Sequence, residues 1–123
     1  PRAWRGLGAG AFSTNGEVPP IPEVTFVRGF FEESLPRFLS GCRAVPTLVH
    51  VDSDLYESAL TVLSHLLPLL TPGSVIVFDE YASGSGWQHD EPRAFAEALL
   101  ATGRRSSLLA VSPATGQASF RLE

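Results

Sequence analysis

The sequence predicts an α/β fold with a mostly parallel sheet that finishes in an antiparallel hairpin. Three observations carry this. Two short apolar runs, Leu48, Val49, Val51 and Val75, Ile76, Val77, Phe78, flank a segment of helical periodicity, which is the pattern of two parallel strands joined by a helix. The runs are nearly continuous rather than alternating, as in strands covered on both faces, with helices above and below. The chain closes with two strand-like segments around the short turn Pro113, Ala114, Thr115 and Gly116, a hairpin spacing.

The elements follow in order. Residues 1–22 are rich in Gly and Pro, have no helical or alternating pattern and read as loop, with Trp4 and Phe12 as large apolar anchors. Residues 24–28 (VTFVR) are β-branched and aromatic and predict a strand. Residues 34–39 predict a short helix with Pro36 in its first turn, Leu35, Phe38 and Leu39 facing inward, and Gly41 as its stop. The strand at 48–51 comes next. Asp54 and Glu57 have capping-box spacing, with Asp54 as the cap of a helix whose buried stripe is Tyr56, Ala59, Leu60, Leu63, Leu67 and Leu70. Pro68 lacks a backbone donor and ends or bends that helix near Leu67. Thr71, Pro72 and Gly73 turn the chain into the strand at 75–78. Residues 81–90 form a polar loop with one Trp. A helix over 91–102 starts with Asp90 as cap and Pro92 in its first turn, buries Phe95, Ala98 and Leu99, and stops at Gly103. Strands at 107–111 and 117–122 complete the chain, read as one domain of 123 residues. An α/β sheet that finishes in an antiparallel hairpin resembles the class I methyltransferase architecture, although fold alone does not license a function.

Composition narrows the function classes. The hydrophobic fraction of 44% supports a buried core, and the formal net charge of −4 argues against nucleic acid or an anionic membrane as partner. No apolar run is long enough to span a bilayer. The single cysteine, Cys42, has no partner for an internal disulfide, which points to a reducing, cytoplasmic setting. It reads as a loop thiol rather than a nucleophile. All nine basic residues are Arg, a compositional bias. The sequence contains no Met and opens in a polar, Gly-rich stretch, so a natural protein that begins earlier is expected.

The candidate chemistry lies in carboxylates at the strand ends. Parallel strands joined by a helix place their carboxyl ends on one edge, where open α/β sheets bind ligands. Asp52 ends the first central strand, and Asp79 and Glu80 end the second. Hard divalent cations such as Mg²⁺ take oxygen ligands, so these three acids are candidate metal ligands. Asp52 can also accept a proton from a hydroxyl as it attacks an electrophilic carbon. Solvated strand-end loop residues are the plainer alternative. Asp54 has a sufficient role as helix cap. By strand alternation His50 lies on the same side as Asp52 and can line the cleft, with a core histidine as the alternative. Trp87 can form an apolar wall against a substrate or simply anchor its loop. His65 falls on the exposed side of its helix, and Arg104 and Arg105 complement a helix C-terminus. The run VIVFDE also describes the acidic strand of P-loop ATPases, but the chain has no Lys and no GxxxxGK[ST].

Two longer segments, HVDSDLYES at 50–58 and VIVFDEY at 75–81, together resemble the macrocin O-methyltransferase family of S-adenosylmethionine-dependent enzymes. GFFEESLP at 29–36, the SGW loop ending at Trp87 and EPRAFAEALLATGRR at 91–105 extend the similarity to most of the chain from Val24 onward. The resemblance implies Mg²⁺-dependent methyl transfer to a small-molecule hydroxyl, often on a sugar of a secondary metabolite. It implies Asp52, Asp79 and Glu80 as metal ligands, Asp52 also as proton acceptor, and Gly29 and Phe30 on the cofactor side. The chain departs from the family in lacking the Gly-rich loop after a first strand and the acidic residue after a second. GLGAG at 6–10 follows no strand and is not a convincing substitute. The expectation is therefore a C-terminal portion of the methyltransferase sheet, missing N-terminal strands, that binds S-adenosylmethionine poorly on its own. Without those strands residues 24–28 have no neighbour to pair with, and self-association through an exposed edge is a further expectation. A non-catalytic α/β interaction module, and less readily an NTPase fragment, are the competing readings.

Overall fold

The computed structural model describes residues 7, 8, 10, 11 and 13–123. The anchoring roles expected of Trp4 and Phe12 lie outside the described residues. The elements run α1 (Phe31–Gly41), β1 (Leu48–Val51), α2 (Tyr56–Leu66), β2 (Val75–Phe78), a 3₁₀ turn (Trp87–His89), α3 (Glu91–Thr102), β3 (Ser106–Val111) and β4 (Ala118–Leu122). The sheet order is β1-β2-β4-β3. β1 and β2 are parallel with Val51 opposite Phe78. β4 is antiparallel to β2 and to β3, so the terminal hairpin forms as the sequence predicts.

α2 and α3 lie on one face of this sheet. Val51, Ile76, Phe78 and Leu122 point into a core with Ala59, Val62, Leu63 and Leu67 of the α2 segment and Ala94, Phe95 and Ala98 of α3. The Leu67 amide still reaches the Leu63 carbonyl at 2.9 Å. Pro68 follows, and the regular helix has ended at Leu66, close to the predicted stop. Gly103, at φ 65°, ends α3, and the next amide, Arg104, returns to the Leu99 carbonyl at 3.0 Å, the αL stop expected of glycine.

The other face corrects the expectation of a sheet covered on both sides. On it Leu48, which pairs with Val75 on the side away from the core, is 62% exposed. In β1 and β2 the residues that point away from the core form the row His50 and Val77, flanked by Leu48 and Val75. The apolar runs reflected burial on one face only, combined with strands too short to reveal alternation.

Residues 24–28 form no strand, and each is exposed. Their β-branched composition favours a pleated surface only where a neighbouring strand completes the backbone hydrogen bonds, and β1 is the edge of the described sheet. α1 begins earlier than predicted, so Pro36 falls inside it rather than in its first turn. Of its predicted inward side chains, Leu35 packs against the core while Phe38 stays 43% exposed. The capping box is also absent. The cap position of α2 is Leu55, without a side-chain cap bond, and Asp54 sits in the left-handed region at φ 58°. Asp90 occupies the cap position of α3 and likewise makes no side-chain cap bond. His65 is half-buried rather than solvated, with its Nδ1 2.8 Å from the Thr61 carbonyl.

Candidate active site at the strand ends

The parallel pairing carries β1 and β2 to a common edge. The Asp79 amide donates to the Val51 carbonyl at 3.0 Å, which prolongs the ladder by one residue and brings the Asp52 and Asp79 positions alongside each other. His50 precedes Asp52 by two and is exposed, so it is not a core histidine. Its Nε2 is 3.7 Å from Asp79 Oδ1. The same Asp79 oxygen accepts a hydrogen bond of 2.6 Å from the Gln117 side-chain amide. Asp52 is exposed to solvent.

The three acids predicted to share a metal do not gather. Among the described residues no group of three or more His, Cys, Asp and Glu side chains is placed to hold an ion. The donors suit a hard cation chemically, but their arrangement does not fit one.

The helix side of the same edge holds a residue that the sequence reading passed over. Glu91, the first residue of α3, is 1% exposed. Neither of its carboxylate oxygens closes a hydrogen bond, and the nearby Ser53 hydroxyl is equally buried and unbonded. Burial raises its pKa from the ordinary 4.5 to about 7; the backbone amides of Ser53 and Glu80 pull it down in part, while the charges of Asp54 and Asp52 push it up. Tyr81, half-buried, has its phenol pushed up by burial first and then by Glu91. The sequence signal for Glu91 was weak: it stood between a cap residue and a proline, where an acid needs no explanation beyond the helix dipole.

Aromatic rings wall this pocket of charge. Phe78 lies 5.2 Å from Tyr81 and 5.0 Å from Phe95, and Tyr81 lies 4.9 Å from Phe120. Trp87 joins the edge of this group, 6.4 Å from Tyr81, so it is packed against its own loop's base. The hairpin turn fixes that loop. The Ala82 amide donates to the Gly116 carbonyl at 2.8 Å. Gly116 has φ 81°, and a Cβ there would come within 2.8 Å of the Ser83 nitrogen. Gln117 and Gly116 carried no sequence signal, because only the β2–β4 pairing brings the hairpin turn to this edge.

Gly29 and Phe30 lie apart from these acids. With Phe31 they form one side of an open cleft of about 520 Å³ whose other side is Leu55, Glu57 and Ser58 at the start of α2. Phe30 is 65% exposed.

The family's pattern now has a geometry to be set against. Residues 21–96 match the macrocin-O-methyltransferase (TylF) family. The chain belongs to this family. The resemblance extends to solved structures: CalS11, a TDP-rhamnose 3'-O-methyltransferase of calicheamicin biosynthesis, is 34% identical with a TM-score of 0.60, over 77% of this chain and 39% of that one. The O-methyltransferase NovP, at 20% identity and a TM-score of 0.64 over 83% of this chain and 38% of that one, shares the fold. An 8-demethyl-8-(2,3-dimethoxy-alpha-L-rhamnosyl)-tetracenomycin-C 4'-O-methyltransferase of Streptomyces olivaceus is 40% identical over 60 residues, which is 49% of this chain and 22% of that protein. The chain thus spans well under half the length of these relatives. Among the described residues no helix is long and apolar enough to cross a membrane.

Proposed function

We propose that this chain is the acceptor-side portion of an S-adenosylmethionine-dependent O-methyltransferase that acts on a sugar hydroxyl of a small secondary metabolite in the cytoplasm. The observation that supports it most is the exposed Asp52 at the carboxyl end of β1, beside Asp79 at the end of β2, in a chain of this family. Relatives whose names specify rhamnosyl substrates give the substrate class.

In this reading Asp52 accepts the proton of the acceptor hydroxyl while that oxygen attacks the methyl carbon. The carbon–sulfur bond breaks as the carbon–oxygen bond forms, and its electron pair stays on sulfur. S-adenosylmethionine, when bound, supplies the electrophilic methyl group. Gly29 and Phe30 would contact it from their cleft. His50 orients the acceptor beside Asp52, and Trp87 borders the acceptor from the loop. Asp79, held by Gln117 and facing His50, fixes this polar row. The Mg²⁺ that the family resemblance implies would draw on Asp52, Asp79 and Glu80. No step is assigned to it, because these side chains do not gather.

Titrating the ¹⁵N-labelled chain with TDP-rhamnose tests the acceptor side directly. Amide shifts concentrated at residues 50–54, 79–81 and 87 are expected. Shifts confined to the helix faces, or none at millimolar sugar nucleotide, would favour the interaction-module reading. Methyl transfer from isotope-labelled S-adenosylmethionine tests the chemistry: Asp52→Asn should lower it about a hundredfold or more.

A further inference from the structure

A backbone hydrogen bond from Asp79 to Val51 joins the ends of β1 and β2, and the loops that follow converge on one buried side chain. The carboxylate of Glu91 is wholly enclosed with both oxygens unbonded, as is the Ser53 hydroxyl, and Ser53, Glu80, Asp54 and Asp52 all act on it. An enclosed carboxylate without partners is costly, and the backbone amides that act on it, those of Ser53 and Glu80, come from the two loops.

We propose that Glu91 is a positioning residue: its carboxylate is the common acceptor for the backbone amides of Ser53 and Glu80, and so sets the separation of the loops that carry Asp52 and Asp79. The Ser53 hydroxyl, buried beside it, is a third donor to the same group. Because α3 carries Glu91 at its first position, the anchor is fixed by the packing of Ala94, Phe95 and Ala98 into the core.

Among the described residues, the groups that act on the Glu91 carboxylate include the side chains of Asp54 and Asp52 from the β1 loop, and the Tyr81 phenol from the β2 loop feels its charge.

The anchor is tested without reference to catalysis. In the wild-type chain, a through-hydrogen-bond coupling between the Glu91 carboxylate carbon and the amide nitrogens of Ser53 and Glu80 is expected by NMR, and its absence from both amides would overturn the proposal. In Glu91→Ala the amides of Ser53 and Glu80 should exchange with solvent at least about tenfold faster, together, while those of the β3–β4 hairpin keep their rates. Glu91→Gln, which keeps one acceptor oxygen, should restore part of the protection. Equal acceleration of every core amide in Glu91→Ala, or no change at Ser53 and Glu80, would show that the side chain does not tie the loops. The functional consequence rests on the methyltransferase reading: Glu91→Gln should lower kcat about tenfold to a hundredfold with little change in acceptor KM. If couplings are present and methyl transfer is not found, the functional reading fails and the anchor stands.

Discussion

Gln117 donates to Asp79 across 2.6 Å, from the turn between β3 and β4 to the end of β2. The two are 38 positions apart in sequence, and their contact is created by the antiparallel pairing of β4 with β2. The same Asp79 oxygen faces His50, so Gln117 holds the carboxylate that holds the histidine. Gln117→Ala should cost only about 1 kcal/mol, because the bond is solvent-exposed. Its larger effect should be on order: the His50 and Asp79 side-chain resonances should broaden or shift while the core is unchanged. Unaltered His50 resonances would mean that Asp79 needs no support from the hairpin.

Glu91 makes stability depend on pH in a direction opposite to that of an ordinary paired carboxylate. Its folded pKa, about 7, lies above its ordinary 4.5, so between those values the folded state binds more protons than the unfolded one. Stability should be highest below about 4.5 as far as this group is concerned, decline as pH rises to about 7, and level off beyond. The difference between 4.5 and about 7, at about 1.4 kcal/mol per pH unit, bounds the decline at about 3.5 kcal/mol. Urea unfolding across pH 4.5–8 measures it. Glu91→Gln should flatten that slope, and an unchanged slope in the variant would assign the effect to other groups.

Gly116 combines a positive φ with close approach to Ser83. Gly116→Ala adds a left-handed strain and a methyl group where backbone already stands, and should destabilise the chain by about 2–4 kcal/mol. It should also shift the amides of Ala82 and Ser83. A stability loss without movement at those amides would place the strain within the hairpin alone.

Tyr56 and Glu97 tie α2 to α3. The Tyr56 hydroxyl donates to Glu97 at 2.6 Å, Arg93 bonds the other carboxylate oxygen at 2.9 Å, and the guanidinium lies 4.3 Å from the centre of the Tyr56 ring. The Tyr56 hydrogen bond, then the Arg93 hydrogen bond, holds the Glu97 carboxyl below its ordinary pKa. The stability it contributes is therefore present above its ordinary pKa and lost as pH falls through the lowered value. Tyr56→Phe should lower the thermal midpoint slightly at pH 7 and not at all at strongly acid pH. Equal losses at both would indicate that the ring's packing, rather than its hydroxyl, had changed.

The order of elements was written in local chemistry. Glycine at 103, proline at 68 and the two apolar runs fix where helices stop and strands lie, because each acts through its own backbone or period. The strand-end position of Asp52, Asp79 and Glu80 followed from the same patterns, and HVDSDLYES with VIVFDEY carried the family. Tertiary structure alone decided the remainder. Residues 24–28 have strand composition, yet a strand exists only where a neighbour accepts its hydrogen bonds. Asp54 has capping spacing, yet its backbone is left-handed. The acids at 79 and 80 are adjacent in sequence, yet among the described residues they form no group with Asp52 that is placed to hold an ion. Glu91 stands apart from Ser53 by more than thirty positions and becomes their neighbour only when α3 packs under the sheet edge. Spacing along a chain determines which side chains share a face of one element; which faces meet, and which carboxylate is enclosed, depends on how separate elements pack.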